Sequence, residues 1–202
     1  MRKLIFIFSG IIIFSWNTGC NNSKYAKEKA QIDSLNIMIE KAEAKLNNID
    51  DKEVDKKFEI YQKNLNEIKD NFNDKREEGV WDVIVVYGNI KKPLKSYLKN
   101  NAKYHEEIEY SKKQLKNLYH DYKKGLITKE KFDQYYNTEK TVITGQYMEI
   151  TSTIDWAKAN IKLFDSLNPK INVIIQKLKK EKGNSPKSSK VKIGEEEEGE
   201  DD

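Results

Sequence analysis

Apolar side chains recur at steps of three and four along most of the chain, a spacing that sets them on one face of successive α-helices. Tyr25, Ile32, Leu35, Ile39, Ala42, Leu46 and Ile49 form the first stripe, with Ser23 as the expected N-cap. The phase breaks at residues 47–51, where Asp50 and Glu53 have the spacing of a capping box. The helix expected after it carries Val54, Phe58, Tyr61, Leu65, Ile68 and Phe72. The two stripes read as an antiparallel hairpin, with one continuous helix containing a stutter as the alternative. Asp74 and Glu77 repeat the capping-box spacing ahead of residues 80–87, the most hydrophobic run after the N-terminal segment. Its β-branched content would suit a strand. Trp81, Ile84 and Tyr87 nevertheless share a helical face and no partner strand is visible, so the run reads as a short buried helix ending near Gly88 and Asn89.

Pro93 fits the first turn of a further helix, where its missing N–H leaves nothing unpaired. Leu94, Tyr97, Tyr104, Ile108, Leu115, Leu118 and Tyr122 make its stripe, and Asn101 and Ser111 fill two stripe positions as candidate register-fixing polar residues. Lys123, Lys124 and Gly125 end it, with cations at the negative helix pole and a glycine for the left-handed cap. Thr128 caps the next helix, and Ile127 and Phe132 are spaced as a hydrophobic staple. That helix shows Tyr136, Ile143, Tyr147, Ile150, Ile154, Ala157, Ile161 and Phe164. Asn168 and Pro169 predict a break before a last helix bearing Ile171, Ile174, Ile175 and Leu178. Beyond Lys182, residues 183–189 read as a disordered linker to an acidic end. The expected fold is all-α: an elongated antiparallel helical bundle of coiled-coil-like hairpins, about five to six helices in all, with disordered termini.

The N-terminus carries a different pattern. Met1, Arg2 and Lys3 precede an apolar run over residues 4–14, then Ser15, Trp16, Asn17, Thr18, Gly19 and Cys20. A basic start, a short apolar segment and small residues before a cleavage point make an export signal. The run is about half the roughly 20 residues that a permanent membrane helix needs. Thr18, Gly19 and Cys20 resemble the end of the lipobox of bacterial lipoproteins, although Asn17 stands where an apolar residue is commonest. The resemblance covers residues 1–20 and implies cleavage between Gly19 and Cys20, diacylglycerol in thioether linkage on the Cys20 sulfur, and a fatty acid such as palmitate on the new amine. Several acyl chains together hold a protein stably on a membrane, since each buried CH2 contributes about 0.8 kcal/mol. Asn21 and Asn22 follow the cysteine in place of an Asp or an acidic run, which in such lipoproteins favours the outer membrane and its periplasmic side. The expected organisation is a signal peptide over 1–19, a helical bundle over 20–182 and an acidic tail over 183–202. The bundle region resembles helical envelope lipoproteins without an assigned role.

Loss of Arg2 and Lys3 takes the formal charge of the 202-residue chain from +4 to +2. The tail holds three lysines against seven acids, a net of −4, so the body from Cys20 to Lys182 is about +6. Such a body could attract anionic headgroups or an acidic partner, while interspersed Lys and Glu also serve simply to keep a bundle soluble. Cys20 is the only cysteine, so packing and not an internal disulfide must hold the fold.

Candidate chemistry is sparse. The two histidines, His105 and His120, lie on one predicted helix, about 22 Å apart at 1.5 Å per residue, too far to share a metal. His105 and Glu109 share a face, a geometry that helical metal sites use. No nucleophile elbow and no glycine-rich phosphate loop occurs. Four of the eleven tyrosines (Tyr61, Tyr97, Tyr104, Tyr122) sit on stripes and read as core, whereas Tyr110, Tyr119 and Tyr135 fall off them. The segment Gly125-Leu126-Ile127-Thr128-Lys129-Glu130-Lys131-Phe132 resembles the turn of short bacterial oligomerisation domains with a G-x-I-T-x-E-E-F core, and this implies a hairpin and no activity. The expectation is a non-enzymatic lipoprotein without a cofactor or metal, anchored in membrane lipid through acylated Cys20. It would act as an interaction or scaffold module with a protein partner in the envelope or with a second copy of itself, and not on nucleic acid. The alternative is a periplasm-facing carrier of an apolar ligand or an unfolded client.

Overall fold

The computed structural model describes residues 24–71 and 79–184. Within them the chain forms α1 (Ala26–Asn47), α2 (Asp51–Asp70), α3 (Val80–Gly88), α4 (Lys91–Lys123) and α5 (Lys129–Asn184), and no strand. The architecture is all-α and elongated. Four helices have 20 residues or more and α3 has nine. Ser23, Phe72 and the Asp74 and Glu77 pair lie outside the described residues, as do the signal segment and residues 185–202.

Cross-helix pairs give the chain direction. Glu28 pairs with Lys129 and Lys45 with Asp155, so α1 runs parallel to the first half of α5. Lys57 pairs with Asp165 and Glu67 with Lys179, so α2 runs parallel to the second half. The break between α1 and α2 therefore does not reverse the chain, and the hairpin expected there is not formed. Asp50 caps α2 as predicted, accepting from the backbone N–H groups of Lys52 and Glu53. The Glu53 carboxylate turns to Lys57 at 2.7 Å, so only half of the capping box forms. Antiparallel to both runs α4: Tyr25 meets Tyr122 edge-on at 5.4 Å, Glu43 pairs with Lys112, and Asp51 accepts from Asn101. The result is three rods, α1 with α2, α3 with α4, and an unbroken α5 of 56 residues, about 84 Å long.

α5 is unbroken against expectation at Asn168 and Pro169. Proline removes one N–H and crowds the carbonyl four residues back, a local penalty that packing can override. Phe164, Leu167, Ile171 and Ile174 are buried on both sides of it. Asn168 does not cap a new helix. Its Oδ1 accepts from Asn64 Nδ2 at 2.8 Å and from the Tyr87 hydroxyl at 3.3 Å, tying α5 to α2 and α3. The predicted turn after α4 does form. Gly125 has φ 72°, with Leu126 N–H donating to Asp121 O and Gly125 N–H to Tyr122 O, the paired bonds of a Schellman cap. Thr128 Oγ1 accepts from Lys131 N–H, while Ile127 and Phe132 join the core.

The core follows the stripes closely, from Ile32 through Leu178. Ser111 is buried and donates to Gln146 Oε1 at 2.8 Å, the cross-rod bond expected of a register residue. Trp81 departs from expectation: it is 48% exposed, while Ile84 and Tyr87 carry α3 into the core. Tyr61, Tyr87, Tyr97 and Tyr104 are fully buried, and each hydroxyl reaches a polar partner: Gly88 O, Asn168, Asp51 and Glu149 respectively.

Burial pushes all four of these hydroxyls above the usual tyrosine value of 10.0, Tyr61 up to about 12. They stay protonated in the folded chain where unfolded tyrosines would ionise. Their contribution is complete below pH 10 and falls as pH rises above it, that of Tyr61 being lost by about pH 12. Circular dichroism at 222 nm should therefore show cooperative alkaline unfolding in that window. Tyr61→Phe should make the loss shallower; an unchanged profile would mean that burial of these hydroxyls does not govern it.

Candidate functional site

Gly19 and Cys20, the predicted processing and lipidation residues, lie outside the described residues. The structure does place the start of α1. Tyr25 rests on Tyr122, beside the Gly125 turn, so the N-terminal end of the bundle is the α4–α5 turn and the C-terminal end of α5 is the opposite pole. Among the described residues no helix is long and apolar enough to cross a membrane.

His105 and Glu109 sit together on α4, but Glu109 is taken by Lys112 at 2.8 Å. Among the described residues no three His, Cys, Asp or Glu side chains converge as a metal site. A recess of about 240 Å³ near the turn contains Tyr135 and Glu139, whose carboxyl is pushed up by burial, and Thr138, whose hydroxyl donates to Gln134 O in its own helix. Inside the bundle, the gap among Ile39, Ala42, Ile108, Ile143 and Ile150 measures about 10 Å³, the room of one water.

A larger recess of about 750 Å³ opens between the α3–α4 junction and α5. Lys91, Lys92, Lys95 and Lys99 line it from α4, facing Trp156 and Asn160 on α5. At 100° per residue these four lysines fall within an arc of about 100° of the helix, along about 12 Å of its axis. Lys92 Nζ stands 5.8 Å from the centre of the Trp156 ring, a cation–π contact. None of the four has a carboxylate partner among the described residues. Nearby acids are engaged elsewhere: Asp155 with Lys45, Asp51 with Tyr97 and Asn101, Asp165 with Lys57. The polar lining is turned inward on its own helices, with Asn160 Nδ2 donating to Trp156 O at 2.9 Å and Asn100 Nδ2 to Ser96 O at 3.0 Å. Each amide keeps its carbonyl oxygen as an acceptor.

Hydrophobic periodicity does not reveal the recess, because its signal in the sequence is an absence. Residues 83–105 contain no Asp or Glu and five lysines, in a chain with 33 acids. Some lysines elsewhere pair at i,i+4 or across rods, as Lys29 does with Asp33 and Lys103 with Glu107, while others, such as Lys56 and Lys158, have no carboxylate partner among the described residues. Lys91 and Lys92 also occupy the first turn of α4, the positive end of the helix dipole, where cations are disfavoured. Proteins accept locally unfavourable arrangements of this kind at functional sites.

Compared with known protein families, curated proteins and solved structures, the chain matches none at a significant level. What fold and geometry define is an elongated three-rod helical bundle with a lysine-lined recess and an outward apolar face on α3.

Proposed function

We propose that this chain is a membrane-anchored envelope lipoprotein, held in lipid through acylated Cys20 and acting as a non-enzymatic interaction or scaffold module. The observation that carries the interaction role is the outer face of α3. Trp81, Val85 and Val86 are 48%, 46% and 41% exposed there, at helical spacing, on a helix whose other face is fixed in the core by Ile84 and Tyr87. A partly exposed apolar stripe on a rigid support is what a partner helix or a protein surface recognises. The three-rod form supports a spacing role. With the tether at the turn end, α5 extends about 84 Å away from it, and α3 packs on the distal half of α5 through Tyr87 and Phe164.

A photo-crosslinking amino acid at Val85 in the native envelope tests the reading. The expected product is a discrete protein adduct, with a second copy of this chain counted as a partner. The same probe at exposed Met148 should give none. Recovery of only uncrosslinked chain from Val85 would refute the interaction role.

A further inference from the structure

We infer that the recess between α4 and α5 is a binding site for an anionic saccharide, with the indole of Trp156 as its platform and Lys91, Lys92, Lys95 and Lys99 as its anion-binding row. The four ammonium groups lack carboxylate partners among the described residues, so a ligand that enters meets positive charge not already neutralised. Their row spans about 12 Å, long enough for two or three linked sugar rings carrying successive carboxylates or phosphates. The lysines line an open recess together with an aromatic ring, so a ligand can meet both at once.

The lining separates saccharide from nucleotide. Single-stranded nucleic acid is held on successive aromatic platforms, one per base, and this recess offers one. Asn100 and Asn160 have each committed an amide donor to their own helix and keep a carbonyl acceptor. Acceptors suit sugar hydroxyls, and the apolar face of a pyranose ring suits an indole. With lysines supplying the donors for anionic groups, the recess presents what a ring with hydroxyls and acid groups requires.

The test is a calorimetric titration of the full chain with tetragalacturonate, neutral maltotetraose, inorganic phosphate and oligothymidylate. Each is repeated on a full-length chain whose tail acids over 195–202 are changed to Gln and Asn, since the tail is itself an anion that could compete. Binding of tetragalacturonate to either form, with maltotetraose and phosphate inert, is the expected result. Lys95→Gln with Lys99→Gln should weaken it roughly tenfold or more, and so should Trp156→Ala alone. All three side chains are exposed, so these variants are expected to keep the helical circular dichroism of the parent. The inference fails if neither form binds tetragalacturonate, if oligothymidylate binds more tightly, or if binding persists undiminished in Trp156→Ala.

Discussion

Cys20→Ser is expected to abolish acylation and to leave the chain at precursor length. Cells fed an alkyne fatty acid should label the wild-type protein, and the label on the serine variant should fall to background. Mass spectrometry should find the wild-type N-terminus at modified Cys20, with residues 1–19 gone, and the variant still carrying Met1 through Gly19. Serine differs from cysteine by one atom, but its oxygen cannot provide the thioether sulfur. An unlabelled wild-type protein, or an equally labelled variant, would overturn the lipoprotein reading. The residual apolar run over 4–14 would not replace the anchor, because it is about half the length of a spanning helix. The effect is large because membrane affinity rests on acyl chains, each CH2 contributing about 0.8 kcal/mol, with two or more chains needed for stable attachment.

The same anchor would set the orientation of the bundle. Tyr25 is already packed on Tyr122, so only residues 21–24 separate Cys20 from the folded base. Extended, such a link spans roughly 15 Å at 3.3–3.6 Å per residue. The Gly125 turn would face the lipid, and the α2–α3 end, with the apolar face of α3, would be the part presented to a partner. Leu126, 68% exposed at that turn between Lys124 and Ile127, would lie nearest the membrane.

Most of this fold is legible in the sequence because helix burial repeats at a fixed spacing. Ile32, Leu35, Ile39, Leu46, Ile143, Ile150 and Ile154 all occupy the core positions that their periodicity predicts. Chain direction is not encoded that way. A capped break such as residues 48–50 starts a new helix equally well after a reversal or in line, and only the partners of Lys45 and Lys57 on α5 decide between them. Asn168 and Pro169 mislead for a related reason. Their local preference for a helix end is real, but Asn64 and Tyr87 claim the asparagine side chain, and the buried residues on either side outweigh one lost hydrogen bond. Trp81 misleads because the helical spacing it shares with Ile84 and Tyr87 cannot distinguish a packed position from a presented one at the edge of the same face. The lysine recess needs two helices that are far apart in sequence, so only its acid-free half is readable.

α3 is the least supported element by length, and Tyr87 should account for most of its attachment. The ring is fully buried, with its centre 5.2 Å from that of Tyr61 and 6.1 Å from that of Phe164. Its hydroxyl donates to Asn168 Oδ1 and accepts from Asn64 Nδ2. Tyr87→Ala removes the ring and leaves a cavity where three rods meet, an expected loss of about 3–5 kcal/mol. For a chain of this size each kcal/mol moves the melting temperature by about 2–4 °C, so a fall of roughly 6–20 °C should be measured. Tyr87→Phe separates the two contributions. It keeps the ring, and Asn64 retains Asn168 at 2.8 Å, so the expected loss is only about 1 kcal/mol. Fluorescence adds a local readout, because Trp81 lies on the same helix, and in Tyr87→Ala its emission should shift to the red before the helical signal is lost. Equal and small losses for the two variants would mean that α3 is not held by this ring. The apolar face it carries would then lack the rigid support that its proposed role requires.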